Sequence, residues 1–338
     1  MTMEIFTIAR RSAALGLLAA ASLAATHTGA FATDAGAGYF KGKTVKVIVP
    51  NPAGGTSDIL ARILAPRMAE ALGATVLVEN KAGATGNLGS DFVAKSAPDG
   101  LTLLLNDIGS LAIAPSVFPS LPFDPVKDFA PVTLVAYSPH ILAATPSLPA
   151  RDAKELIALA KAKPNALNFA ISGTGGANHL AGIDFAMRAG IVWTYVPYKG
   201  GSQAINDVVA GQADLLFNGM VATYPMVKGG KLKALAISSA KRFPGAPEIP
   251  TVAESAGLEG FETGSFQGIA AAAGTPPAVV ATLHATMQKI LATPEMQKRL
   301  QDLGAEYRPG TSAEFGEFIK NEKARWAQVV KASGAKFD

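Results

Sequence analysis

Along this chain, compact apolar runs alternate with stretches in which apolar residues recur every three or four positions, and Gly-containing turns separate the two. The short runs fit buried strands and the longer period fits amphipathic helices. The pattern predicts a strand at 44–49, a helix at about 57–72, a strand from Ala74 to Val78, a helix ending near Ser96 and a strand from Leu101 to Leu105. The Pro- and Phe-rich segment from Pro115 to Pro131 interrupts this rhythm and leads into an extended stretch, Val132 to Ala144, that reads as a crossing strand. Then come a helix from Asp152 to Ala162, a strand from Leu167 to Ile171, and a second Gly-rich turn opening a helix at 178–189. A strand at 193–196, a helix at 202–210 and strands from Leu215 to Phe217 and Lys233 to Ser238 follow. Gly268 to Ala273 reads as a second crossing strand, and helices at about 276–292, 295–303 and 312–333 close the chain.

This alternation predicts an α/β fold in which mainly parallel sheets are flanked by helices. Two crossing strands imply two lobes, the first built from residues 33–135 and 262–338, the second from 136–261. Ligands of open parallel sheets bind at the carboxyl ends of strands, beside helix N-termini, so the turns of both lobes are expected to face one cleft.

The first residues change the picture of where the chain works. Arg10 and Arg11 precede an apolar run from Ala13 to Ala25, and Ala30-Phe31-Ala32 fits a cleavage site, so 1–32 reads as an export signal peptide. The arginine pair also fits a twin-arginine address, although a general secretory signal is the simpler reading. No later stretch is long and apolar enough to suggest a membrane anchor, and a soluble chain outside the cytoplasm is expected. Losing two arginines and Glu4 lowers the formal charge from +4 by one. The basic residues are scattered among acidic ones, which argues against nucleic acid as a partner. With no cysteine, disulfides, thiolate chemistry and Cys-ligated zinc are all excluded.

Candidate chemistry concentrates in the Gly-rich turns. Pro52, Ala53, Gly54, Gly55, Thr56 and Ser57 carry the first strand into its helix. Free N–H groups at the helix start and the helix dipole favour an anion there, and the glycines let it approach the main chain. An ordinary connection capped by Thr56 or Ser57 fits the same residues. Asp58, in the first helical turn, fits a dipole-complementing role better than a ligand contact. His179 and the tryptophans Trp193 and Trp326 read more simply as packing residues, while Lys199, in a turn with Tyr198, could meet a carboxylate. Enzyme motifs are absent: no G-x-S-x-G elbow, no phosphate-binding G-x-x-x-x-G-K-[ST], and no zinc-like spacing among His140, His179 and His284. Gly173-Thr174-Gly175-Gly176-Ala177-Asn178 partly matches a dinucleotide fingerprint, but Asn178 stands where the third glycine belongs. A nucleotide-cofactor enzyme is therefore the remote alternative.

Several motifs occur in order: Pro50-Asn51-Pro52-Ala53-Gly54-Gly55-Thr56-Ser57-Asp58, Glu79-Asn80-Lys81-Ala82-Gly83, Ala97-Pro98-Asp99-Gly100, Val196-Pro197-Tyr198-Lys199-Gly200-Gly201, Gly211-Gln212-Ala213-Asp214 and Pro250-Thr251-Val252-Ala253-Glu254. This ordered set resembles the Bug family of extracytoplasmic solute receptors, the binding components of tripartite tricarboxylate transporters. The resemblance covers essentially the whole chain after residue 32. It implies a two-lobed type II periplasmic binding protein with two hinge strands. Such a protein is a non-enzymatic monomer without metal or cofactor, which closes on a small carboxylate: a dicarboxylate, an amino acid or an aromatic acid. The implied partner is an inner-membrane permease or, in the alternative, a membrane histidine kinase that senses the closed form.

In such a receptor the turn of Pro52 to Ser57 and a turn of the second lobe, here Ser172, Gly173, Thr174 and Asn178 with Tyr198, Lys199 and Gly200 nearby, hold one carboxylate largely through backbone groups. Asn106 and Asp107 are expected at the cleft, and Phe217, Asn218 and Tyr198 around the far end of the ligand. Departures from the usual pattern are Ala82, Thr85 and Phe266, the last on the returning hinge strand beside Gln267.

Overall fold

The computed structural model describes residues 38–118 and 120–333; the export signal read at 1–32 lies outside them. The first unit comprises β1 (Thr44–Val49), α1 (Thr56–Leu72), β2 (Thr75–Asn80), α2 (Asn87–Ala94), β3 (Thr102–Asp107) and α3 (Ile108–Val117). A 16-residue strand, β4 (Phe129–Ala144), leads out of it. The second unit holds α4 (Ala153–Ala162), β5 (Asn168–Ile171), α5 (Ala177–Ala189), β6 (Thr194–Pro197) and α6 (Gly201–Val209), followed by β7 (Leu215–Gly219), α7 (Met220–Lys228), β8 (Lys233–Ile237) and α8 (Val252–Ala256). The strand β9 (Gly264–Ala272) returns, and α9 (Pro277–Leu291), α10 (Pro294–Asp302) and α11 (Ser312–Ser333) complete the chain.

The strands follow the order β2-β1-β3-β9-β4-β7-β5-β6, with β8 also on β4. Pairing is parallel at both outer ends, where β1 meets β2 and β3 and β5 meets β6 and β7. It turns antiparallel where the crossing strands enter. Strand β4 joins the two halves: Phe129 to Pro139 pair with β9, and His140 to Ala144 pair with β7. The fold is that of a two-lobed type II periplasmic binding protein.

Each lobe has its own core. In the first, Leu60, Leu64, Met68 and Leu72 recur every fourth position on the buried face of α1 and pack with Val45, Val47, Leu103 and Met287. In the second, Phe169, Phe185, Phe217, Phe261 and Trp193 pack together, with Phe185 and Trp193 stacked at 5.7 Å. The roughly 25 cal/mol released per Å² of apolar surface removed from water makes these two cores the main source of stability in a chain without cysteine.

Three helices escape the sequence pattern: α3, α7 and the five-residue α8. Both α3 and α7 contain a proline, Pro115 and Pro225, which removes one backbone donor and argues against helix. Tertiary packing overrides that cost. Ala112, Ile113 and Val117 of α3 are buried with Trp326 of α11, and Met220 and Tyr224 of α7 with Ile141 and Phe243.

Candidate functional site

Four helices, α1, α5, α6 and α7, start at the cleft glycines Gly55, Gly176, Gly200 and Gly219, and none of the four starts carries a side-chain cap; α2 also starts at an uncapped glycine, Gly86. The capping role open to Thr56 or Ser57 is thus unfilled: Gly55 occupies the cap position with extended backbone, φ −79° and ψ 169°. All four starts come together at one small cavity of about 70 Å³ between the lobes, through Gly55, Thr56 and Ser57, Ala177 and Asn178, Gly201, and Gly219. Each start presents N–H groups without intrahelical partners and about half a positive charge. Among the described residues, no lysine or arginine lines the cavity.

The glycine turns are held from behind. Gly54, at φ 80° in the left-handed region, donates its N–H to Asp58 Oδ2 at 2.9 Å. Asp58 Oδ1 in turn accepts from Arg62 Nε and Asn80 Nδ2, both at 3.0 Å. Burial works against the Asp58 carboxylate, but the hydrogen bonds from Arg62, Gly54 and Asn80 outweigh it and hold its pKa below the ordinary value. Asp58 therefore shapes the turn. In the second lobe, Gly175, at φ 75°, donates its N–H to His179 Nδ1 at 3.0 Å. Burial pushes the His179 pKa down to about 4, so the ring stays neutral and able to accept. His140, at the cavity wall, is likewise pushed down to about 4 by burial, and its Nδ1 meets Thr263 Oγ1 at 3.1 Å.

The lobes are closed on each other. A Cβ added to Gly200 would lie 2.6 Å from the Pro52 ring, and one on Gly219 2.9 Å from Thr56 Oγ1. Thr85 Oγ1 also donates to Thr174 O at 3.5 Å.

Of the residues expected from sequence, Pro52, Gly55, Thr56, Ser57, Asp107, Ser172, Asn178 and Asn218 line this cavity. Gly173, Tyr198 and Lys199 line an adjoining chamber of about 350 Å³ together with Thr85, and Asn51, Pro52 and Ser172 border both spaces. Ala53, Gly54, Thr174 and Gly200 belong to the turns around the cavity without lining it. Phe217 is a correction: its ring is fully buried in the second lobe's core, 5.7 Å from Phe185 and 5.6 Å from Phe261. Successive strand residues point to opposite faces, so with Asn218 facing the cavity, Phe217 cannot. Asn106 is set back in the same way, accepting from Asn51 Nδ2 at 3.3 Å and from the Asp107 N–H at 2.8 Å.

The sequence reading missed Asn51, His140, Ala177, Gly201, Gly219, Ser265 and Gln267 at the cavity. For Gln267 a signal existed: it is a single long polar side chain in the otherwise apolar or small run of β9. It is almost fully buried, and its Oε1 has no hydrogen-bond partner; the Nδ2 of Asn178, also buried, has none either. Buried polar atoms are normally paired, so these two mark where a ligand would complete the site.

A family model described as the tripartite tricarboxylate transporter family receptor matches residues 60–335. The chain belongs to this receptor family. Among solved structures it is similar to the periplasmic binding protein BugD, at 36% identity and a TM-score of 0.83, covering 87% of this chain and 98% of that one. An R. palustris protein with adipate is 34% identical, with a TM-score of 0.84, over 86% of this chain and 97% of the other. MatC from Rhodopseudomonas palustris with bound malate is 35% identical, with a TM-score of 0.80, over 85% and 99%. As a member of this family the chain is a solute-binding protein.

Proposed function

We propose that this receptor captures a small carboxylate in the cavity between its lobes, in the periplasm, and delivers it to the inner-membrane permease of a tripartite tricarboxylate transporter. The observation that carries the reading is the convergence of four uncapped, glycine-begun helices on a cavity that, among the described residues, no lysine or arginine lines. A carboxylate held there would take its hydrogen bonds from main-chain N–H groups and from the Asn178 amide. The bound adipate and malate of the two similar structures support a carboxylate ligand. Binding is reversible and involves no turnover: contacts from both lobes favour the closed form over the open one. The second-lobe glycines of the cleft serve that closure directly, since a side chain at Gly200 would meet Pro52 and one at Gly219 would meet Thr56.

The test is a thermal-shift screen of the protein without its leader against dicarboxylates, tricarboxylates, amino acids and aromatic acids. A ligand at about a hundred times its Kd adds roughly 2.7 kcal/mol and raises the midpoint by a few degrees. No shift with any carboxylate, together with no carboxylate released when the purified protein is unfolded, would overturn the reading.

A further inference from the structure

The loop between β2 and α2 holds its backbone in a rare conformation. Gly83, Ala84, Thr85 and Gly86 all have positive φ, at 148°, 47°, 54° and 93°. Two of them are not glycines, and for Thr85, with its branched Cβ, the left-handed region is costly. Hydrogen bonds pin the loop at both ends: the Lys81 N–H donates to Val49 O at 2.8 Å, and the Gly86 N–H donates to Gly83 O at 2.9 Å. Such conformations persist where the surroundings over-determine them, and they gather at ligand clamps and switches. The Thr85 side chain reaches the second lobe. Its Oγ1 donates to Thr174 O, and a Cβ built on Gly173 would lie 3.0 Å from Oγ1 and 3.1 Å from Cγ2. A Cβ on Gly176, where α5 starts, would lie 3.6 Å from Cγ2. Thr85 therefore rests on the main chain of the turn that brings Asn178 and the free N–H groups of α5 to the cavity. It also lines the adjoining chamber, beside Gly173 and Tyr198.

We propose that Thr85 is a positioning residue for ligand capture: in the closed receptor it braces the Gly173 to Gly176 turn from the opposite lobe and so holds the start of α5 against the ligand. The inference rests on the closing-receptor reading above and names a contact that retains what has been captured. A brace between lobes forms when they close, so its contribution enters ligand affinity rather than the stability of either lobe. Among variants of one binding site, affinity changes fall mainly on dissociation. The strained backbone of Thr85 is offset by contacts that exist only across the cleft. Gly173, at φ 145°, completes the fit, because the space a side chain would need there is filled by Thr85.

The experiment is a double-mutant cycle on the protein without its leader: the parent, Thr85→Ala, Gly173→Ala and the two combined. Each is titrated calorimetrically with adipate, L-malate, L-aspartate and benzoate, and dissociation is followed by stopped flow. Thr85→Ala removes Oγ1 and Cγ2 and leaves the Cβ, which lies 3.5 Å from a Cβ added at Gly173. Ala84 already carries an alanine at similar φ in the same turn. For the tightest-binding probe, Thr85→Ala is expected to raise the dissociation rate roughly tenfold with little change in the association rate. Gly173→Ala should weaken binding about tenfold or more in the parent and severalfold less beside Thr85→Ala. The strain of an alanine at φ 145° is common to both backgrounds and cancels. Melting midpoints without ligand should be additive, a readout that a merely structural contact would not satisfy. Additive effects on Kd, or coupling in the unliganded midpoints instead, overturn the inference and leave the carboxylate receptor standing. An unchanged dissociation rate in Thr85→Ala overturns it by itself, whether or not Gly173→Ala folds. If no probe binds the parent, the carboxylate released on unfolding the purified protein takes their place in the cycle, and release of none overturns both readings.

Discussion

Two sets of helix starts in this molecule are built in opposite ways. Away from the cavity, α4, α8 and α10 begin at Asp152, Thr251 and Thr293, each of which accepts from the N–H three residues on. Thr251 and Glu254 form a complete capping box, the glutamate reaching back to the Thr251 N–H at 3.0 Å. Around the cavity, α1, α5, α6 and α7 begin at glycines with no side-chain cap. Over a glycine start, a side-chain cap is worth a few tenths of a kcal/mol, so the second set forgoes a small stabilisation that the same chain secures elsewhere. What the glycine starts keep is a group of N–H donors open to a ligand, supported from the rear by Asp58 and His179 rather than covered from the front.

Charging His179 is the strongest way to break that contrast. Its folded pKa, about 4, lies below the ordinary 6.5, as does that of His140. The native state therefore binds fewer protons than the unfolded one. The contribution of the neutral rings is complete above pH 6.5, declines as pH falls below it and is lost toward pH 4. Each contributes on the order of a few kcal/mol. A protonated His179 can no longer accept from Gly175, so ligand affinity should fall over the same range. Urea denaturation and titration at pH 7.5, 5.5 and 4.5 check this, and a flat stability profile would sink it. His179→Gln should flatten part of the slope.

Gly200→Ala comes next. Its backbone, φ 168° and ψ 169°, is open to any residue, so the added methyl acts only through its 2.6 Å approach to Pro52. Closure should become harder and affinity fall ten- to a hundredfold, a cost of about 1.4 to 2.7 kcal/mol, while the unliganded protein melts as before. An unchanged Kd would mean that the ligand is bound without this contact between the lobes.

The smallest effects separate the two sets most cleanly. Thr251→Ala should lower stability by about 1 kcal/mol and leave the Kd alone. Gly55→Ser should raise stability by a few tenths of a kcal/mol and weaken binding, because the new hydroxyl takes N–H groups meant for the ligand. Gly55→Ala supplies the same Cβ without the cap. If Gly55→Ser and Gly55→Ala weaken binding equally, bulk rather than donor competition explains the loss.

Much of the fold was legible because it is local. Every predicted strand and helix has a counterpart within a few residues, and the Gly-rich turns of Pro52 to Ser57 and Ser172 to Asn178 do open helices. The helices α3 and α7 were hidden by Pro115 and Pro225, whose local preference is overruled by distant partners such as Trp326 and Ile141.

The candidate site was less legible, and the reason is parity. Asn106 with Asp107, and Phe217 with Asn218, are neighbours in sequence that the pleat sends to opposite faces. Which member faces the cleft depends on register with β9 and β4, set by residues far away in the chain. Sequence alone determined the order of elements, the glycine turns, the absence of thiol chemistry and the ordered motifs of the receptor family, since each is written in contiguous residues. Tertiary structure alone decided that four helix starts meet at one cavity, that Pro52 closes on Gly200, and that Gln267 joins Asp107 there. Those relations join segments well separated in sequence, and only the packing of the two lobes brings them to one cavity.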